Sequence, residues 1–169
     1  MPLLKGGKIV EDAWTLLADD LELSKAGFVV VSLDRFIRDR DLLVACSGPI
    51  GVRLTSAQSP QLIADALDVL LLIELEFPAF TDGRSYSYAQ LLRRLGFAGE
   101  IRAVGNVLRD QYLNLKRCGF DALEIKEGET AEDWGIATDA FSAPYQVAYD
   151  TEKPIMFLRE QCLAAQAKV

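Results

Sequence analysis

The sequence contains no histidine. Histidine provides the base in Ser–His and Cys–His nucleophilic catalysis, and it is a common side-chain ligand of zinc and of haem iron. Its absence therefore excludes these two kinds of nucleophilic site from the chain, together with zinc and haem sites that depend on histidine.

Cysteine is scarce: Cys46, Cys118 and Cys162 are isolated and far apart in the chain. Iron–sulfur clusters usually need four cysteines in short spacings. Neither the dinucleotide-binding pattern G-x-G-x-x-G nor the P-loop pattern G-x-x-x-x-G-K-[ST] occurs. We therefore expect no resident metal and no resident cofactor. Cys118 lies on the apolar stripe of a predicted helix, so we expect its thiol to be buried.

Basic residues are outnumbered, with 18 lysines and arginines against 25 acidic residues and a net charge of −7. Nucleic acids and anionic membranes need a basic face, so neither is an expected partner. No apolar run reaches the ~18 residues of a membrane span, and the polar amino terminus does not resemble a secretory signal. We therefore expect a cytoplasmic protein.

The chain has 169 residues, of which half are apolar, and this is enough to bury the core of one domain. We expect a single α/β domain over residues 1–169, with an extended lead-in at 1–26 that contains a ribbon or hairpin around Gly6–Gly7. A core of β-α units follows at 27–126. The segment 127–169 is expected to hold an acidic surface loop or loose helix at Glu127–Asp139, an edge strand at Phe141–Tyr149 and a closing helix at Pro154–Ala167.

Five apolar segments are predicted to be strands of a parallel sheet, because strands covered on both faces lack polar alternation. They are Gly27–Leu33, Ile50–Thr55, Leu71–Phe77, Glu100–Val104 and Ala122–Ile125. Helical patterns lie between them, at Asp34–Val44, after a cap at Ser59, at Tyr88–Leu95 after a Ser87 capping box, and at Val107–Cys118 after a cap at Asn106.

The alternation of strands and helices predicts an α/β fold with a parallel five-stranded sheet and flanking helices. Right-handed crossovers leave two possible arrangements of the sheet, an open sandwich or a partial barrel. The layout of Leu71–Ile125 resembles the second half of response-regulator receiver domains. This resemblance favours the open flavodoxin-like or receiver-like sandwich over the partial barrel.

Two carboxylates, Glu74 and Glu76, alternate with apolar residues inside the predicted strand Leu71–Phe77. Charges within a covered strand are costly unless they are paired. We therefore expect at least one of the two to meet an arginine on a neighbouring strand, either Arg53 or Arg102.

The predicted functional site lies at the carboxyl ends of the strands, which meet at one edge of a parallel sheet. Backbone N–H groups at a helix start attract anions, and arginines add charge-assisted hydrogen bonds. These properties predict an oxyanion site formed by Arg84, Gly105, Asn106 and Arg109.

Two aspartates near the predicted site, Asp82 and Asp110, are candidate acid/base residues. The structural alternative is that Asp82 caps a turn while Arg84 pairs with Asp110, which would make the whole edge a scaffold. Either Asp82 or Asp110 is close enough in sequence to compete with an anion for Arg84 and Arg109.

Several motifs together resemble the bacterial family called domain of unknown function 934, over about Gly27 to Ile125. They are Glu76–Arg84, Leu91–Arg94, Gly99–Gly105, Val107–Gln111 and Arg117–Ala122. Members are commonly labelled as probable oxidoreductases involved in sulfite reduction, because of a genomic association with sulfite reductase. The resemblance therefore implies a role in sulfur assimilation.

Sulfite reduction uses sirohaem and an iron–sulfur cluster, and this chain lacks the cysteines for such a centre. We therefore expect an accessory protein of assimilatory sulfite reduction that binds either sulfite reductase or a small oxyanion intermediate. One alternative is a small cofactorless α/β enzyme that acts on an anionic substrate through Asp82 or Asp110. Another is a receiver-like interaction module without a ligand.

Overall fold

The computed structural model describes residues 2–21, 27–45, 48–138, 144–150 and 154–159. One sheet contains all eight of its strands, which are β1 (Leu3–Lys5), β2 (Lys8–Val10), β3 (Trp14–Leu16), β4 (Phe28–Ser32), β5 (Ile50–Leu54), β6 (Leu70–Phe77), β7 (Glu100–Gly105) and β8 (Ala122–Glu124). The helices are α1 (Leu33–Arg38), α2 (Arg40–Ala45), α3 (Arg84–Arg94), α4 (Tyr112–Cys118) and α5 (Ala131–Thr138), and residues 155–159 form a further short helical stretch. Two 3-10 segments cover Pro60–Ala66 and Arg109–Gln111.

The strands from β3 to β8 lie side by side in chain order, and each pairs with the next in parallel. Strand β1 then pairs antiparallel with β8, and β2 continues the sheet beyond β1. Each new strand from β4 to β8 is added to the same edge of the sheet. Because the connections between parallel strands are right-handed, this places all the connecting helices on one face. The sheet therefore curls into a half-barrel with its helices outside.

The expected open sandwich is wrong, and the partial barrel is the closure that is observed. A flavodoxin-like sheet reverses its strand order, so helices cover both of its faces. The order from β3 to β8 does not reverse. Each of the five predicted strands is present within one residue of its expected bounds, but the sheet has eight strands because β1, β2 and β3 join it from the lead-in.

The lead-in forms a hairpin, as expected, because Gly6 and Gly7 both adopt positive φ angles of 56° and 76° between β1 and β2. Its contribution to the main sheet was not predicted. Leu4 of β1 is fully buried in the core, where β1 pairs with β8. A three-residue strand has too little periodicity to reveal such a distant partner.

Apolar side chains fill the space between the sheet and the helices. Alternate strand residues join the buried side chains of the helices in one cluster, which includes Val52, Ile73, Leu75, Ile101, Phe36, Leu92, Leu115 and Trp134. The intervening residues of the same strands point to the opposite, concave face of the half-barrel. The concave face therefore presents a different set of side chains from the face that packs on the described helices.

Several helix boundaries differ from the expected ones. The region Asp34–Val44 forms two helices rather than one, and α3 begins at Arg84 after Gly83, upstream of the expected Ser87 cap. Asn106 does not cap a helix, because its amide donates to the carbonyl of Pro78 at 2.8 Å. Ser59 does cap the 3-10 segment that follows it.

The carboxyl-terminal segment departs from its expected structure between residues 144 and 149. The expected edge strand Phe141–Tyr149 is wrong over residues 144–149, which contain no strand, and residues 141–143 lie outside the described part. In the expected closing helix, residues 155–159 are helical, and residues 160–167 lie outside the described part.

A ladder of alternating charges crosses the concave face on three adjacent strands. The sheet register places Arg53, Glu74 and Arg102 directly beside one another. Arg53 Nε donates to Glu74 Oε2 at 2.7 Å, and Arg102 Nη1 donates to Glu74 Oε1 at 3.2 Å. The expected partnership of Glu74 with an arginine is confirmed, and both candidate arginines take part.

Arg102 binds two further carboxylates. Its Nη1 lies 2.7 Å from Asp12, which precedes β3, and its Nη2 lies 3.0 Å from Glu100. Arg102 is 1% exposed and Glu74 is 2% exposed. Burial raises the pKa of Glu74 above its usual value, although the two arginines act to lower it. The ladder thus depends on a guanidinium group that compensates several carboxylates at once.

Replacing Arg102 with alanine should destabilise the protein by about 3–5 kcal/mol, because it leaves buried carboxylates without their partner. Urea unfolding followed by circular dichroism would measure the loss. The matched control is Arg40→Ala, which breaks the surface ion pair with Asp65 and should cost about 1 kcal/mol or less. Equal losses in the two variants would show that the ladder is no more than a surface-type interaction.

Candidate functional site

Two loops meet at the carboxyl edge of the sheet, one between β6 and α3 and the other between β7 and α4. The amide of Gln111 joins them, because its Nε2 donates to the carbonyl of Phe80 at 2.8 Å while its Oε1 accepts from the N–H of Leu108 at 3.0 Å. The bond from Asn106 to the carbonyl of Pro78 adds a second link. Side-chain amides thus hold the two loops together.

Gly105 allows the end of β7 to approach β6 closely. Its φ of +94° favours glycine, and a Cβ atom there would lie 2.7 Å from the carbonyl oxygen of Phe77. The same oxygen accepts the N–H of Asn106 at 2.8 Å. The backbone N–H of Asn106, which was expected to face an anion, therefore already has a partner within the sheet.

Arg84 forms a two-pronged ion pair with Asp82. Its Nε and Nη2 lie 2.9 and 2.6 Å from the two carboxylate oxygens, and Nη2 also donates to the buried Ser56 hydroxyl at 2.9 Å. Hydrogen bonds from Arg84 and Ser56 hold the pKa of Asp82 well below its usual range. Asp82 is therefore ionised at neutral pH and cannot donate a proton there, and the lowered pKa also makes its carboxylate a weak base.

Arg109, in the loop between β7 and α4, pairs with two other carboxylates. Its Nη2 lies 3.1 Å from Glu129, and its Nη1 lies 3.5 Å from Asp133 in α5. The indole N–H of Trp134 donates to the second oxygen of Glu129 at 3.0 Å. Arg84 and Arg109 are thus neutralised by different carboxylates. Among the described contacts, the two guanidinium groups share no partner, so they do not converge on a common anion site.

Asp110 forms neither a hydrogen bond nor an ion pair through its side chain among the described residues. The alternative pairing of Arg84 with Asp110 is therefore wrong, because Asp82 takes that place. The expected turn contact of Asp82 is confirmed, since its carboxylate accepts the backbone N–H of Arg84 at 3.2 Å.

Two apolar side chains extend into solvent from the joined loops. Phe80 is 54% exposed and Leu108 is 39% exposed. We call these two residues, together with Gln111, which links their backbones, the carboxyl-edge patch. The ion pairs of Arg84 and Arg109 belong to the same two loops. Sequence reasoning missed the patch, although apolar residues in otherwise polar strand-end loops were the available signal.

Cys118 is half-buried at the end of α4, where it packs against the core. Gln90 of α3 donates to its sulfur at 3.4 Å. A cleft of about 280 Å³ beside it is lined by Tyr86, Gln90, Asn114 and Arg117 among others. Burial raises the pKa of the Cys118 thiol and also raises that of Tyr86, to about 12. The expected burial is thus confirmed in part, because the residue is not fully enclosed.

Comparison with known proteins gives one result. Residues 51–156 match the model of a family described as "Bacterial protein of unknown function (DUF934)", which is more than half of the chain. No curated protein matches the chain. The match runs from β5 to beyond α5, so it includes the carboxyl-edge patch and the three ladder strands but not Asp12. Among the described residues, no helix is long and apolar enough to cross a membrane.

The predicted oxyanion site can be tested by thermal unfolding in millimolar sulfate or sulfite. If Arg84, Gly105, Asn106 and Arg109 hold an oxyanion, either salt should raise the Tm of the wild type but not that of Arg109→Ala, because a ligand of the native state stabilises it by mass action. Arg40→Ala is the control for loss of a surface charge. Equal shifts in all three proteins would leave Arg109 as a structural ion-pair partner only.

Cys118 should react slowly with iodoacetamide at neutral pH, because its raised pKa keeps the thiol protonated and burial hinders access. Cys118→Ala should cost roughly 1 kcal/mol of stability, within the range for truncation of a partly buried side chain. Mass spectrometry of the native protein would locate the label. Labelling of Cys118 as fast as in urea-unfolded protein would instead identify an activated thiol.

Proposed function

The chain belongs to the bacterial family DUF934, and we propose that it is an accessory protein of assimilatory sulfite reduction that acts by binding sulfite reductase. The family resemblance supplies the link to sulfur assimilation. The chemistry of the chain favours a binding role, because it has no histidine and only three isolated cysteines. These residues do not provide the cysteine ligands of an iron–sulfur centre.

The observation that carries the proposal is the carboxyl-edge patch. Phe80 and Leu108 are exposed, and the single side chain of Gln111 fixes the backbones of both. Exposed apolar residues on a fixed backbone lose little conformational entropy when a partner covers them. Protein interfaces commonly combine an apolar centre with a polar rim, and the ion pairs of Arg84 and Arg109 would supply such a rim.

The same geometry supports docking over the two other readings. An oxyanion would have to displace Asp82 or Glu129 from an arginine that it already pairs with. A cofactorless enzyme that acts through Asp82 would have to break the two-pronged ion pair of this carboxylate with Arg84. An interface imposes neither requirement, since paired charges at a rim keep their partners when the complex forms.

Purification of the tagged protein from its host under sulfate limitation tests the proposal. Sulfite reductase should co-purify with the wild type, and Phe80→Ser and Leu108→Ser should each reduce its recovery several-fold, because apolar anchors carry much of the binding energy. Gln111→Ala should also weaken recovery, since it releases the two loops.

Leu62→Ser is the matched control, because Leu62 is another exposed leucine that lies in the 3-10 segment outside the patch. Its recovery of the reductase should equal that of the wild type, and Leu62→Ser, Phe80→Ser and Leu108→Ser should all keep a wild-type Tm. Failure of the wild type to retain the reductase, or equal retention by Phe80→Ser, would contradict docking through the patch.

A further inference from the structure

The concave face has polar groups that the charge ladder does not use. Arg53 binds Glu74 through Nε alone, and its Nη1 and Nη2 have no hydrogen-bond partner among the described residues. The Arg53 side chain is 28% exposed, so these two donors are accessible from the open side of the half-barrel. A guanidinium edge with two free donors matches the geometry of a carboxylate.

Two carboxylates lie nearer the carboxyl ends of the neighbouring strands. Glu76 follows Glu74 by two residues on β6 and therefore points to the same concave face. Glu76 pairs with Val104 of β7 in the sheet register. Ala103 pairs with Leu123 of β8, so the next residue pair places Glu124 beside Val104. Val104 therefore lies between Glu76 and Glu124. In agreement with this placement on the same face, Glu124 acts to raise the pKa of Glu74.

Neither Glu76 nor Glu124 has a side-chain hydrogen bond or ion pair among the described residues, and both are half-buried. Strands in a sheet are about 4.8 Å apart, so these two carboxylates flank Val104 with their backbones roughly 10 Å apart. Two glutamate side chains can converge across that span. Arg53 is a diagonal neighbour of Glu76, at roughly 8 Å between Cα atoms.

We propose that the concave face binds a small zwitterion of the amino-acid class, with its carboxylate on Nη1 and Nη2 of Arg53 and its ammonium group between Glu76 and Glu124. The mixed charges select this class. A simple anion meets two unpaired carboxylates, and a simple amine meets the guanidinium group. The described residues contain no group of three or more acidic, cysteine or histidine side chains that could hold a metal ion, so an ammonium fits this carboxylate pair better than a metal does.

The experiment measures the Tm of the full chain in the presence of each proteinogenic L-amino acid at one millimolar-range concentration. Acetate, which has only the carboxylate, and methylamine, which has only the ammonium group, are tested at the same concentration. At least one amino acid should raise the Tm, and calorimetry should then give its Kd. Acetate and methylamine should each give a much smaller shift, because each satisfies only one side of the site.

Glu76→Gln and Glu124→Gln should each weaken the Kd of that amino acid by about tenfold or more, since each removes one charge-assisted hydrogen bond. Glu127→Gln is the matched control, because Glu127 is an exposed carboxylate on a turn outside the concave face, and it should leave the Kd unchanged. Both test variants keep the side-chain size, so the Tm without ligand reports whether they fold.

Three results would overturn the proposal. They are the absence of a shift with every amino acid, a Kd that Glu76→Gln and Glu124→Gln leave unchanged, and a shift that acetate or methylamine reproduces in full. None of these results bears on the docking of sulfite reductase, which uses the carboxyl-edge patch and has its own test.

Discussion

The buried guanidinium group of Arg102 is the constraint on which the concave face depends. A sheet whose strands follow one another without reversal has helices on one side only, so its other face must satisfy its charges within the sheet. Arg102 does this for Glu74, Glu100 and Asp12. The family match covers residues 51–156, so Asp12 lies outside it. The ion pair between Asp12 and Arg102 therefore connects the lead-in to the matched strands.

The two faces of the sheet carry different kinds of side chain and have different roles. The helix-covered face contains the apolar cluster that supplies most of the stability. The concave face and the carboxyl edge carry the charged residues, but most of these charges already have partners. What distinguishes the edge is therefore the exposed pair Phe80 and Leu108. What distinguishes the concave face is the small set of charged groups that have no partner among the described residues.

The sequence predicts local structure better than it predicts how the pieces assemble. Strands such as Leu70–Phe77 were predicted within one residue because their apolar runs are long and continuous, and the cost of burying Glu74 was enough to predict its arginine partners. The strand order was not predicted, since open and barrel closures share the same βα rhythm. The start of α3 and the amide link through Gln111 were also missed, because loop contacts leave no periodic signal in the sequence.

A double-mutant cycle between Glu74 and Arg102 tests the central claim, that paired charges hold the concave face, most directly. The free energies of unfolding of Glu74→Gln, Arg102→Gln and the double variant would be measured in urea. The buried pair predicts a favourable coupling of about 1–3 kcal/mol between the two sites. Losses that add within about 0.5 kcal/mol would show that the two residues act independently and would contradict the account.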